Sequence, residues 1–154
     1  MENLLRHTLA TLAYRLGKVL RDVPADFGSF QPGSGVKTPV EILSHIGDLM
    51  DWALTLVEGR QAWHDAEPLP WPDAVARFYR SLAALDACVA EKGAGATTVE
   101  KLFQGPIADA LTHTGQIAIL RRMAGCPVKG ENYAVAEIVA GRTGPEQSAP
   151  RREF

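Results

Sequence analysis

A chain of 154 residues has the size of one ordinary domain, and its 46% hydrophobic and 22% charged residues are typical of soluble globular proteins. The formal net charge of -2 offers no basic surface to neutralise phosphates, which argues against a nucleic-acid partner. No apolar run approaches the roughly 18 residues that cross a bilayer, and the stretch from Met1 to Arg6 lacks the layout of a signal peptide, so we expect a cytoplasmic protein.

The first helix is predicted over about residues 2–22, where apolar residues recur at helical spacing. The residues that mark its core face are Leu5, Leu9, Leu12, Leu16 and Val19. Pro24 and the Gly/Ser/Pro-rich stretch 28–35 then end the helix, since these residue types favour turns and loops.

The second helix is predicted over residues 38–59. Thr38 can cap its first turn, and Glu41 can return a hydrogen bond to that cap. Pro39 suits the first helical position because its missing N–H is not needed there. The helix is apolar on more than one side and should be largely buried, so His45, which lies in an apolar stripe, is expected to point inward.

Two further helices and a tail complete the predicted architecture. The third helix begins at Pro72 and ends at the glycines of residues 93–95, and the fourth follows Gly105-Pro106 and runs to about residue 125. No strand alternation is present. We therefore predict an all-α fold, with a four-helix bundle over residues 1–127 and an irregular C-terminal extension over 128–154, in which residues 133–139 could form a short helix.

Several residues that often carry chemistry are predicted to be structural. Cys88 and Cys126 lie far apart and neither belongs to a Cys-x-x-Cys pair, so we expect no disulfide framework and two small buried hydrophobes. His7 and His64 have no identifiable partner in the sequence, and both are expected at the surface.

Asp109 and His113 are the best candidates for metal ligands. They stand four residues apart on the fourth helix, so both side chains project from one face. A third ligand must come from another helix, and His45 is the inward-facing candidate. Two imidazoles and one carboxylate suit zinc, nickel or ferrous iron. Three protein ligands leave coordination positions open, which is typical of a catalytic site.

A purely structural interpretation of the same residues stays open at this point. Asp109 in a first helical turn is favourable next to the helix dipole, and an Asp–His pair at four-residue spacing adds a little helix stability. His45 could be an ordinary core histidine that donates to a backbone carbonyl. A pair at this spacing is a weak signal by itself.

Two stretches of the sequence are similar to a known family. Asp109-Ala-Leu-Thr-His113-Thr-Gly115-Gln116-Ile117, followed by Leu-Arg-Arg, resembles the last core helix of the DinB/YfiT-like superfamily. The stretch Ile-Leu-Ser-His45-Ile, with a tryptophan at position 52, resembles the second helix of that family. Over residues 2–125 the resemblance implies a four-helix metalloprotein whose ligands are His45, Asp109 and His113.

The residue at position 109 departs from the common family pattern. Three histidines form the usual set, whereas this chain has Asp109 at the middle position. Carboxylates occur at that position in relatives such as the mycothiol-dependent maleylpyruvate isomerases. The added negative charge should make a bound water less acidic, and it leaves the identity of the metal open.

Other residues near the predicted ligands have more than one interpretation. Gln116 could orient His113 or contact another helix. Asp48 could be a fourth ligand or could orient His45, although an exposed carboxylate is the simpler expectation. Gly115 is expected to allow close helix packing, because glycine is otherwise unfavourable inside a helix.

Aromatic residues could line an approach to the metal. The candidates are Trp52, Trp71 and Tyr79, although aromatic residues at helical spacing usually belong to the core. The C-terminal extension could cover the mouth of the site, with Tyr133 as the residue that makes the contact.

The resemblance implies a metal-dependent enzyme that acts on small molecules. Bundles of this kind bind a low-molecular-weight thiol, such as mycothiol or bacillithiol, and present its thiolate to an electrophile, so a thiol transferase is the leading expectation. The alternatives are a hydrolase that uses a metal-activated water and a bundle that binds a metal or small ligand without turnover. Homodimers are common among similar bundles, so a homodimer is expected as well.

Overall fold

Four long helical segments pack around one apolar core in the computed structural model, which describes residues 2–154 except for the side chain of Glu2; Met1 lies outside the described residues. The helices are α1 Glu2–Leu20, α2 Pro39–Val57, α3 Trp71–Lys92, the short α4 Val99–Leu102, and α5 Ala108–Met123. The part of the chain that the structure describes contains no β-strand, so the prediction of an all-α bundle is confirmed. None of these described helices combines the length and the apolar composition needed to span a bilayer.

Helix α1 buries its predicted face. Its leucine stripe is at most 2% exposed, so each of these side chains is fully removed from water: Leu5, Leu9, Leu12 and Leu16. Burying one leucine contributes roughly 1.5–3 kcal/mol, so this stripe stabilises the packing of α1 against the other helices.

Helix α2 begins at the predicted capping box. The Thr38 hydroxyl accepts a hydrogen bond from the Glu41 N–H, and the Glu41 carboxylate accepts one from the Thr38 N–H at 2.7 Å. The hydrogen bond from the Thr38 backbone, and a second from its hydroxyl, hold the pKa of Glu41 below its usual value. Pro39 occupies the first turn, as predicted.

Replacing Thr38 with alanine should lower the free energy of unfolding by about 1 kcal/mol, because the N–H of Glu41 loses its acceptor. Urea denaturation would measure the loss as a lower midpoint at unchanged slope. Thr112→Ala is the matched control: Thr112 is an exposed threonine inside α5, and its loss should be neutral or slightly stabilising. An equal loss in the two variants would contradict the capping role.

The fourth long helix starts earlier than predicted. We expected it to follow Gly105-Pro106, but the chain is already helical from Val99, with Thr98 as its cap. A π-helical turn over Phe103–Ile107 contains Pro106 and joins α4 to α5. Proline has no N–H to donate, and its ring collides with the carbonyl four residues before it in a regular α-helix. The wider turn gives the ring room, so proline does not end the helix.

Arg121 fastens the end of α1 to α5. Its guanidinium is buried and donates to the backbone carbonyls of Val19 and Arg21 at 3.3 and 2.8 Å, and to that of Cys126 at 2.7 Å. The last carbonyls of a helix have no partner within the helix. Arg121 therefore caps α1 from another element, and it holds the end of α5 in place.

The C-terminal extension packs on α1. Glu131 accepts hydrogen bonds from the Tyr14 hydroxyl at 2.6 Å and from Lys18 Nζ at 2.7 Å, and Lys18 also contacts Glu153. The Tyr133 ring stands edge-on to the Tyr14 ring. The prediction that Tyr133 covers the mouth of the metal site is therefore wrong, because that ring lies against α1. The predicted short helix at 133–139 is only a 3₁₀ turn, Tyr133–Val135.

Both cysteines are free, as predicted. Cys88 and Cys126 pack against the core but are half-buried, so the expectation that they would be fully buried is not met.

Candidate metal centre

His45 on α2 and the pair Asp109 and His113 on α5 meet in the cleft between these helices; we call this group the candidate metal centre. One potential ligand atom from each residue lies within 4.8 Å of the other two. His45 Nε2 is 3.5 Å from Asp109 Oδ2, and His113 Nε2 is 3.4 Å from Asp109 Oδ1. The three side chains could therefore hold one metal ion.

The spacing of these atoms suits ligands around a cation. Direct hydrogen bonds between nitrogen and oxygen are about 2.7–3.2 Å long, and both histidine–carboxylate distances exceed that range at 3.5 and 3.4 Å. Two bonds of about 2.1 Å at the tetrahedral angle separate their donors by about 3.4 Å. Each histidine is thus at ligand spacing from one of the two Asp109 oxygens, and all three groups lie within 4.8 Å of one another.

The helices fix these positions in different ways. Asp109 and His113 share one face because four residues make about one helical turn. His45 comes from the facing helix, and its ring lies 4.8 Å from the His113 ring at 87° between planes. The carboxylate between the two imidazoles supplies the negative charge that would partly neutralise a divalent cation.

Gln116 orients the His113 ring. Its Oε1 atom lies 2.6 Å from His113 Nδ1, so the N–H of that nitrogen can donate to it. The other ring nitrogen, Nε2, then keeps its lone pair and faces Asp109. Hydrogen bonds of this kind hold metal-binding histidines in the required orientation. The prediction that Gln116 orients His113 agrees with this contact.

Asp48 has a different role from those predicted. It is 4% exposed, and its carboxylate accepts from Arg77 on α3 at 2.6 Å and from the Ala66 N–H at 3.2 Å. It is therefore neither a fourth ligand nor a partner of His45, and it is not an exposed carboxylate. Three residues along a helix turn the side chain by about 300°, only about 60° short of a full revolution, and the contact with Arg77 shows that this offset is enough to direct Asp48 toward α3.

Trp63 is a residue of the site that sequence reasoning missed. Its ring lies 5.6 Å from the His45 ring and 5.8 Å from that of Trp52. The loop that carries it is fastened at Ala66, whose N–H donates to Asp48 and whose carbonyl accepts from the Ser44 hydroxyl. Nothing in the local sequence indicates this return of the loop, because the fastening contacts come from α2.

The other predicted aromatic residues divide between site and core. Trp52 lies beside the candidate metal centre, through its contact with Trp63. Trp71 packs edge-on against Phe27 at 5.4 Å, and Tyr79 packs against Phe78 at 5.0 Å, so both contribute to the core instead.

Gly115 does not serve close helix packing. It is exposed, and a Cβ atom built at this position would meet nothing within 4 Å. The prediction that a neighbouring helix requires glycine here is wrong, and nothing in the structure explains this residue.

Comparison with known proteins gave no match: no family model, no curated protein and no solved structure matched the chain. The resemblance to the DinB/YfiT-like superfamily therefore stays a prediction that depends on the residues of α2 and α5 quoted above.

The candidate metal centre is open on two sides. Its three side chains are between 19% and 46% exposed, with Asp109 the most exposed. On one side, His113 and Gln116 line an apolar groove formed by α5, Ile42 and the loop 32–37. On the other side, Asp109 lines a second cleft, together with Trp52 and Gln104. A bound cation would thus remain accessible to small molecules.

Proposed function

We propose that this protein is a divalent-metal-dependent enzyme of the DinB/YfiT-like type that transfers a low-molecular-weight thiol to an electrophile. The observation that carries the proposal is the convergence of His45, Asp109 and His113 from two helices, at ligand spacing and with an open face. The resemblance of the α2 and α5 sequences to that superfamily supports the thiol chemistry.

Zinc or nickel is the proposed metal, and iron is the next choice. Two imidazole nitrogens and one carboxylate oxygen form a donor set that these ions accept, whereas magnesium and calcium prefer oxygen donors alone. A cation held there would lower the pKa of a coordinated thiol and supply a thiolate nucleophile near neutral pH.

The side chains around the centre have distinct tasks in this reaction. His45, Asp109 and His113 bind the cation, and Gln116 fixes the ring of His113. The Trp63 ring packs against the His45 ring. The sulfur forms a bond to the electrophilic carbon, the leaving group departs with the bonding electron pair, and the thiol proton passes to solvent through the open side. No side chain is needed as a general base.

The test is a conjugation assay on protein loaded with zinc or nickel. Mycothiol, bacillithiol and glutathione are each offered with 1-chloro-2,4-dinitrobenzene, whose conjugates absorb light. We expect a metal-dependent rate above the uncatalysed reaction with at least one thiol, loss of that rate after chelation, and loss in His113→Ala. His64→Ala, which alters an exposed histidine outside the centre, should keep the full rate.

Two results would contradict the proposal. Metal-dependent hydrolysis of esters or amides without added thiol would favour the hydrolase alternative. Metal binding without acceleration by any thiol would favour a bundle that binds without turnover.

A further inference from the structure

The apolar groove beside the candidate metal centre has the size of a small-molecule site. Its volume is about 570 Å³, and it lies between α5 and the loop 32–37. Ligand pockets commonly have volumes of about 300–1,000 Å³. The groove is continuous with the metal centre, since His113 and Gln116 form part of its wall and Ile42, three residues before His45, forms another part.

Exposed apolar side chains converge on this groove from two elements. Val36 in the loop is 48% exposed, and Ile119 and Met123 on α5 are 57% and 55% exposed. Single exposed apolar residues are ordinary, but several that flank one concave surface mark a binding site. The other side of the metal centre has a more mixed lining, with Gln104, Asp109 and Thr112.

The charge of the groove comes from Lys37. It lines the groove, and Asp and Glu side chains are missing from the lining in the part of the chain that the structure describes. Among the described residues Lys37 forms no hydrogen bond or ion pair. Its nearest electrostatic effect is a small one on Glu41, whose carboxylate already accepts a hydrogen bond from the Thr38 N–H. An anionic group on a ligand would therefore find a cation available.

We propose that the groove binds an apolar carboxylic acid, whose hydrocarbon body packs on Ile119, Met123 and Val36 and whose carboxylate pairs with Lys37. This inference rests on the proposed function, because it assigns the acid as the electrophilic substrate and leaves the second cleft for the more polar thiol. The reactive carbon of the acid then points toward the His113 end of the groove.

The test compares an acid with its neutral analogue on metal-free protein. The probes are 1-naphthylacetate and 1-naphthylacetamide, and their dissociation constants are measured by NMR titration of ¹⁵N-labelled protein. We expect the acid to bind about threefold to fivefold more tightly, which is the effect of one partly exposed ion pair. Lys37→Gln should remove that preference without changing the binding of the amide. Lys101→Gln is the matched control, because Lys101 is an exposed lysine beside a different cleft.

A second variant tests the apolar wall. Ile119→Ser should weaken both probes, and its exposed position means that the fold should tolerate the change, which urea denaturation would verify. Equal affinity for acid and amide in the unaltered protein, or unchanged acid binding in Lys37→Gln, would overturn the proposal. A dimer in ultracentrifugation that Ile119→Ser converts to monomer would also overturn it, since the groove would then be the contact between two copies.

The binding test of the groove and the conjugation test of the proposed function can fail independently of each other. Binding to metal-free protein depends on neither the cation nor the thiol, whereas conjugation requires both. Acid-selective binding combined with absent conjugation would support the ligand class and contradict the transferase. Conjugation combined with equal binding of both probes would support the transferase and contradict the assigned substrate class.

Discussion

Zinc content should fall from about one ion per chain to a small fraction of that in His45→Ala and in His113→Ala. Each substitution removes one of three donors, and the two that remain hold the ion by fewer bonds. Loss of a residue that only hydrogen-bonds to a ligand and orients it costs about 10- to 100-fold in metal affinity. Loss of a ligand itself should therefore cost more than about 100-fold. Metal analysis after dialysis, followed by a competition titration, would measure both quantities.

The chain supplies its own controls for this experiment. His7→Ala and His64→Ala change exposed histidines outside the cluster and should retain full metal content. Gln116→Ala should give an intermediate loss of about 10- to 100-fold in affinity, because His113 keeps its nitrogen but loses its orienting partner. Undiminished metal in both ligand variants would rule out the proposed coordination.

Lys18→Met should lower the free energy of unfolding by about 3 kcal/mol. The side chain of Glu131 is fully buried, and Lys18 is its charged partner at 2.7 Å. Removing one member of a buried pair leaves an uncompensated charge, which commonly costs about 3–5 kcal/mol. We expect the lower end of that range because Tyr14 still donates to Glu131. Urea denaturation would measure the loss.

Lys129→Met is the matched control. Lys129 is 75% exposed and lies 3.8 Å from Glu153, and such surface pairs contribute about 0–1 kcal/mol. A loss in Lys18→Met no larger than that in Lys129→Met would show that the C-terminal extension is not held by the buried pair.

The same cluster predicts how stability depends on pH. Burial by itself lowers the pKa of Lys18, but hydrogen bonds to Glu131 and Glu153 outweigh it, so the pKa is raised above 10.5. Burial, followed by the hydrogen bond to Glu131, also raises the pKa of Tyr14. The folded chain therefore holds both protons more tightly than the unfolded chain. The contribution of these two groups to stability should be constant from neutral pH to about pH 10 and should fall as pH rises further, whereas a decline that begins soon above neutral pH would contradict this assignment.

Much of the bundle could be predicted because its determinants are local. Thr38 and Glu41 lie in one turn, so the start of α2 follows from a short stretch of sequence. The stripe of leucines along α1 similarly identifies a buried face. The start of the fourth helix could not be predicted in this way, since Gly105-Pro106 has the pattern of a boundary while the surrounding packing keeps it helical.

The residues of the candidate site likewise divide into those that the local sequence predicts and those whose positions depend on distant contacts. Asp109 and His113 are one turn apart on one helix, so their proximity follows from helix geometry. The direction of Asp48 depends on Arg77, a residue of α3 that a reading of α2 alone does not include. Trp63 reaches His45 only because distant hydrogen bonds fold its loop back, so no spacing rule could have found it.

The π-helical turn at Phe103–Ile107 determines how far α5 is rotated about the helix axis relative to α4. Each added residue rotates a helix by about 100°, and a π turn contains about one residue more than an α turn. Leu102 before the turn is buried, and Asp109 after it faces α2. Deleting one residue from this turn would therefore rotate Leu102 and Asp109 relative to each other by about a quarter of a revolution. The helix could then bury Leu102 in the core or direct the Asp109 carboxylate toward His45, but not both.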